Sequence, residues 1–249
     1  MKKYFGIKYQ FNKSAVSECI REITRTKEKG YICVADGVSL SMYQHSPQIR
    51  KVFDEASVVT CDSGWVPLFI RFIYKINYEQ YSGSELFLDT IKQKVYNMMF
   101  LGADRNVLTH LQKKMSGIDE RIANMTFWEL PFCSPENFDY QSIADQINRE
   151  GPDIIWISLG MPKQELFMYN LLPFLNKGIL IGVGAAFKFH SGIKEYRRAP
   201  KWMIRLKAEW LYRIFAEPKK QLRRCLLIIK TMPGLIYREY KLSKHGISK

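Results

Sequence analysis

Seven short β-rich runs alternate with amphipathic stretches along most of this chain, and that alternation limits the folds open to it. The runs fall at residues 4–9, 31–35, 57–60, 95–101, 125–130, 153–159 and 178–183. Stretches of helical periodicity lie between them, notably 14–29, 104–115, 140–149 and 163–175. A helix between two strands returns the chain to the starting edge of the sheet, so the next strand pairs in parallel. The predicted body is therefore α/β and Rossmann-like, a mostly parallel sheet with helices on both faces. At 249 residues the chain has room for one such domain and an appendage, not for two full domains.

The pattern changes near the end. From Pro200 onward there is no strand signal, only two helix-like stretches, 202–215 and 219–231, divided at Pro218. Residues 194–249 hold 16 Lys+Arg against 4 Asp+Glu, a net +12, whereas residues 1–193 hold 22 against 20. The expected division is a body, 1–193, and a basic helical appendage, 194–249. Basic amphipathic helices carrying tryptophan suit the surface of an anionic membrane. Helices packed on the sheet with a solvated basic face are the plainer reading. Trp202, Trp210 and Tyr212 interleaved with cations would also serve nucleic acid, but no RNP, KH or helix-turn-helix signature accompanies them, so no nucleic acid is expected.

Composition excludes several classes. The five cysteines show no C-x-x-C spacing and the four histidines are far apart, which argues against a disulfide framework or a zinc site. The N-terminus begins basic but has no apolar core of signal-peptide type. The most apolar windows, 65–76 and 225–237, are interrupted by Arg71, Lys75 and Lys230 and fall short of the ~20 residues that span a bilayer. A cytoplasmic protein, peripheral on the inner membrane face, is expected. The apolar face after Gly64 (Leu68, Phe69, Phe72, Ile73) reads as core, with a subunit contact as the other reading; a homo-oligomer is left open.

Candidate site residues cluster after the apolar runs. In LGMPKQE (159–165) the run meets Gly160 and Pro162 and opens into a helix, as the carboxyl edge of an α/β sheet does where it binds ligands. Gln164 there offers a neutral amide that can both donate and accept hydrogen bonds. Lys163 has the reach for phosphate oxygens, although Lys163 and Glu165 also read as helix-surface residues. Gly182 and Gly184 would let backbone amides approach a diphosphate. Their segment lacks the third glycine of a dinucleotide fingerprint and follows a late strand, so no cofactor is expected. Asp62 reads either as a general base or as the cap of the helix opening at Gly64. Asp36-Gly37 reads as a turn.

The segments LGMPKQE, GVGAAFKFHSG (182–192) and RRAPKWMIRLKAEWLYRIFAEPKK (197–220), in that order, resemble the WecG/TagA/CpsF family of bacterial glycosyltransferases. The likeness runs from about Phe5 to Arg224. It implies an enzyme: an inverting, metal-independent hexosyltransferase. Its donor would be a UDP-sugar, its acceptor a saccharide on polyprenyl diphosphate, and its product a capsule, teichoic acid or exopolysaccharide precursor. The resemblance makes Asp62 the base and puts Gln164 in the active site. It implies a substrate-binding set of Asp36, Gly83, Lys163, Gly182, Gly184, Arg213, Lys220 and Arg223. Arg213 and Arg223 would fold over the departing diphosphate as guanidinium forks, with Lys220 as a point charge, where other transferases use a metal cation. Arg224 would face lipid headgroups.

The chain departs from the family pattern at four places. Val34-Ala35-Asp36 stands for T-x-N, Gln80 to Glu85 lacks the arginine of R-x-x-G-x-D, Lys188 replaces an aspartate, and Cys61 a proline. Asp36 thereby becomes a second carboxylate that shares or replaces the role of Asp62. The donor sugar is open at this point, and a catalytically impaired partner subunit of the same fold is the alternative.

Overall fold

The computed structural model describes residues 2–196, 199–200, 203, 211–212, 214 and 218–244, without the side chain of Lys220. Six strands, β1 (Lys29–Ala35), β2 (Val58–Cys61), β3 (Met98–Gly102), β4 (Phe127–Trp128), β5 (Ile154–Ser158) and β6 (Gly178–Gly182), form one sheet in the order β2-β1-β6-β5-β3-β4. Every pair is parallel, with Ile32 opposite both Val58 and Ile181, and Ile155 opposite Leu180. The long strands are buried on both sides, which is why they read as unbroken apolar runs.

Strand alternation divides the side chains between two cores. Tyr31, Cys33, Ala35, Met99, Leu101, Ile155, Ile157 and Leu180 face one layer. There they meet α2 (Gly37–His45), α3 (Pro47–Asp54), α4 (Trp65–Tyr74), α7 (Tyr140–Glu150) and α8 (Lys163–Leu171). Ile32, Val34, Met98, Phe100, Ile154, Trp156, Ile179 and Ile181 face the other. That layer is built from α1 (Lys13–Thr26), α5 (Gly83–Ile91), α6 (Arg105–Ser116) and α9 (Ala186–Ser191). Local capping fixes where these helices start. Asn12, Ser46, Asp104 and Asp139 each accept a backbone amide at an N-terminus, and Ser82 with Glu85 forms a reciprocal capping box.

The last described element is a long C-terminal helix (Pro218–Lys244) lying on α2 and α4. It adds Leu235 to the first core. Glu239, buried, accepts the Phe5 amide at 3.0 Å through one oxygen and the Tyr74 hydroxyl at 2.7 Å through the other.

Four expectations from the sequence need correction. The run at 4–9 is not a strand. Phe5 (φ 53°) and Gly6 (φ 89°) turn the chain left-handed, and only isolated bridges form, Tyr4 with Ile7 and Tyr9 with Val59. The run at 125–130 shrinks to the two residues of the edge strand β4, just before Pro131. The helix expected over 219–231 continues through Pro233 to Lys244, because Leu235 and Glu239 are held beyond the proline by packing and by Tyr74 and Phe5. The apolar face of α4 is split: Phe69 and Ile73 pack against the core, while Leu68 and Phe72 are exposed. The stretch at 202–215 lies almost wholly outside the described residues.

Candidate active site

The carboxyl ends of the strands open into one cleft of about 2070 Å³. Single ligand pockets hold roughly 300–1,000 Å³, so there is space for two substrates side by side. The outgoing connection of β3 runs to the edge strand β4, while that of β5 runs back to β6. Ligands of open parallel sheets bind where successive connections part in this way.

Asp36 follows β1 and caps α2. Its Oδ1 accepts from the Val38 and Ser39 amides, each at 2.9 Å, and from the Ser39 hydroxyl at 3.0 Å. Its Oδ2 is ion-paired with Nη2 of Arg224 from the C-terminal helix. Asp36 is thus a helix cap, as the turn reading has it, and also the seat of an arginine. Asp62 follows β2, half-buried in the cleft wall, with its amide donating to the Ala35 carbonyl at 2.9 Å. The N-cap position of α4 falls to Gly64, and the Ser63 hydroxyl accepts the Trp65 amide at 3.3 Å.

Gln164 ties two loops together. Buried at the start of α8, its Oε1 accepts the Gly160 amide at 3.2 Å and the Gly184 amide at 3.0 Å. Both glycines have left-handed φ, 78° and 52°, so the loops after β5 and β6 reach Gln164 in a conformation that favours glycine. The Gly184 amide, expected to face a diphosphate, is therefore taken by Gln164. A Cβ on Gly182 would meet Met168 Cε at 2.8 Å and Gln164 Nε2 at 3.1 Å, and one on Gly83 would meet Val34 Cγ1 at 3.3 Å. Both of these glycines make room for packed protein.

Beside Gln164 lies a group that the sequence reading placed on the surface. Glu165 is fully buried; its Oε1 accepts from Gln164 Nε2 at 2.9 Å, and its Oε2 has no hydrogen-bond partner among the described residues. Burial pushes its carboxyl up to about 7; hydrogen bonds from Gln164 and its own backbone pull the other way, with lesser effects from Asp36, which raises it, and Arg224, which lowers it. The clue was in the sequence: Leu166, Phe167 and Met168 are three apolar residues in succession, which at about 100° per residue cover more of α8 than the single stripe of a surface helix.

The remaining candidates sort by geometry. Lys163 lines the cleft with Nζ 5.1 Å from the Phe132 ring centre and 5.0 Å from that of Phe138. Arg223 is exposed and is not among the cleft-lining residues, whereas Arg224 is. One residue is 100° of helix, and Arg224 shares its face with Ile228, Thr231 and Leu235, which point inward. The arginine expected over the cleft is therefore Arg224, and Arg223 takes the solvent side. Arg213 and the side chain of Lys220 lie outside the described residues. Val34, Asp36, Gln80, Ser84 and Lys188 line the same cleft, so three of the four departures from the family pattern face substrate space, and Cys61 does not. His190 Nε2 lies 2.7 Å from the Ser84 hydroxyl and joins α9 to α5.

Residues 3–245 match the family described as Glycosyl transferase WecG/TagA/CpsF family. The chain belongs to this family of glycosyltransferases. Over 206 residues, 80% of this chain and 76% of the relative, it is 27% identical to an N-acetylglucosaminyldiphosphoundecaprenol N-acetyl-beta-D-mannosaminyltransferase of Bacillus spizizenii. Over 80 residues, 32% of this chain and 30% of the relative, it is 42% identical to a protein of the same description from Bacillus subtilis. The transferase has no helix, among its described residues, long and apolar enough to cross a membrane.

Proposed function

We propose that this transferase moves a hexose, N-acetylated or related, from a UDP-sugar to a saccharide carried on polyprenyl diphosphate. The reaction would take place at the anionic inner face of the cell membrane during assembly of a cell-surface polysaccharide. The relatives support the acceptor class, since both are named for a diphosphoundecaprenol-linked N-acetylglucosamine and for transfer of N-acetylmannosamine. One observation carries the chemistry: a carboxylate, Asp62, and an arginine, Arg224, line the same cleft at the carboxyl edge of a parallel sheet.

The transfer balances with these groups. The acceptor oxygen forms its bond to the anomeric carbon on the face opposite UDP, while the bond to the phosphate oxygen breaks and UDP leaves with the electron pair. Asp62 takes the hydroxyl proton, which a sugar alcohol must shed as it attacks. Arg224 neutralises the charge that builds on the leaving diphosphate; Arg213 and the side chain of Lys220, the family's further candidates for this role, lie outside what the structure describes. The pairing of Arg224 with Asp36 is no obstacle. Asp36 keeps three hydrogen bonds from α2 if the guanidinium moves to a diphosphate, and the diphosphate carries more charge than one carboxylate. Gln164 acts as the clamp that holds the Gly160 and Gly184 loops, and no metal ion takes part.

A donor screen tests this reading. UDP release is measured from a panel of UDP-sugars with a lipid-diphosphate saccharide as acceptor. Turnover with one or two hexosamine donors is expected, and no acceptor-dependent release from any donor would refute it.

A further inference from the structure

Two exposed apolar stripes run side by side on this protein. Along α4 and just beyond it, Trp65, Leu68, Phe72 and Ile76 recur at helical spacing on the outer face, Phe72 being 70% exposed, while Val66, Pro67 and Ile70 point inward. Along the C-terminal helix, Leu222, Leu226, Ile229, Pro233, Tyr237 and Tyr240 recur at intervals of three and four and are all exposed, Ile229 to 65%. Glu239 fixes the two helices relative to each other, since it holds the Tyr74 hydroxyl at the end of α4. Trp65, Ile229 and Pro233 also line the cleft, so the stripes meet at its mouth.

Charge decides what covers them. From Trp65 to Lys75 there is no Asp or Glu, and Arg71 and Lys75 are exposed. The C-terminal helix contains one acidic residue, Glu239, which is buried, and exposes Lys219, Arg223, Lys230, Arg238, Lys241 and Lys244. Neither helix presents an exposed carboxylate. A second copy of the chain laid on this face would set cations against cations. An apolar centre flanked by cations complements an anionic bilayer, which takes up the side chains and neutralises the flanks.

We propose that α4 is a membrane-docking element in its own right, and that with the C-terminal helix it forms one surface seating the cleft mouth against anionic lipid. This deepens the transferase reading, since a lipid-borne acceptor would then meet the cleft without leaving the bilayer. Vesicle binding is measurable with no sugar present, so either reading can fail alone.

The test is co-sedimentation of the full chain with vesicles of phosphatidylcholine, with and without phosphatidylglycerol, for the wild type, Leu68→Ser/Phe72→Ser and Leu226→Ser/Ile229→Ser. Neither Leu68 nor Phe72 lines the cleft, so UDP binding by that variant serves as its folding control. The wild type should bind the anionic vesicles and release in high salt. Each double variant should partition at least about tenfold more weakly, given the apolar area withdrawn from lipid. Undiminished binding by Leu68→Ser/Phe72→Ser would overturn the proposal. So would a wild-type dimer in sedimentation velocity that this variant splits with vesicle binding intact, which would make the face a contact between copies. Should the variant fail to fold, quenching of tryptophan fluorescence by brominated lipid decides: it should fall in Trp65→Phe, and equal quenching would count against the proposal.

Discussion

Replacing Glu165 by Gln should stabilise this protein at pH 8 while leaving it little changed at pH 5. Burial holds the native carboxyl at about 7, against 4.5 for a free glutamate side chain. Between those values the native state keeps a proton that the unfolded chain has already lost. Stability attributable to Glu165 is therefore whole below about pH 4.5, falls as pH rises through the window, and is level above about 7. The difference of two to three pH units corresponds to roughly 3 kcal/mol. The value of about 7 already includes the hydrogen bond from Gln164 to the carboxylate, and Gln keeps an acceptor for Gln164 Nε2, so the gain at pH 8 should be about the same 3 kcal/mol. Urea unfolding of both proteins at pH 5 and pH 8 reads this directly, because every other titrating group cancels in the difference of differences. A variant with the same pH dependence as the wild type, or one less stable at pH 8, would refute a buried carboxylate that is costly to ionise.

The other predictions concern the tail and the metal. Arg224→Ala should weaken UDP binding by about tenfold, the scale of one lost charge-assisted hydrogen bond, while Arg223→Ala should change it little; calorimetric titration of both variants would expose an inverted order. Glu239→Ala should cost about 2 kcal/mol in urea unfolding, since it leaves the buried Phe5 amide without its acceptor and frees the Tyr74 hydroxyl; a loss below 0.5 kcal/mol (about half of one ordinary hydrogen bond) would mean that the C-terminal helix is held by other contacts. Adding EDTA to the transfer assay should leave the rate within about twofold, a barrier change below ~0.5 kcal/mol, and strong inhibition would require a metal in the mechanism.

The strands were legible because a sheet covered on both faces needs apolar residues at every position, which leaves unbroken runs such as Ile154 to Ile157. The run at 4–9 is also rich in aromatic and apolar residues, but its fate depends on Phe5 and Gly6 turning left-handed, a matter of dihedral angles that composition does not carry. The cleft was legible at Asp62, Lys163 and Gln164, since each ends a strand or opens a helix at the sheet's carboxyl edge. What Gln164 does was not, because its partners Gly160 and Gly184 come from loops after two different strands. Arg223 and Arg224 are neighbours of one chemical type, separable only by helical phase, and the phase is set by residues such as Leu235 that lie past the end of the helix expected over 219–231. Glu165 was obscured by its charge, which suggests a surface while the residues after it require a core.

The account stands or falls on whether Asp62 takes the proton of the acceptor hydroxyl. The direct measurement pairs turnover with UDP affinity for Asp62→Asn, using the donor that the wild type prefers. An isosteric amide cannot accept that proton, so transfer should fall by about two to four orders of magnitude while UDP binds as tightly as before. Turnover near the wild-type rate with unchanged affinity would contradict the mechanism and return Asp62 to a structural role at the end of β2.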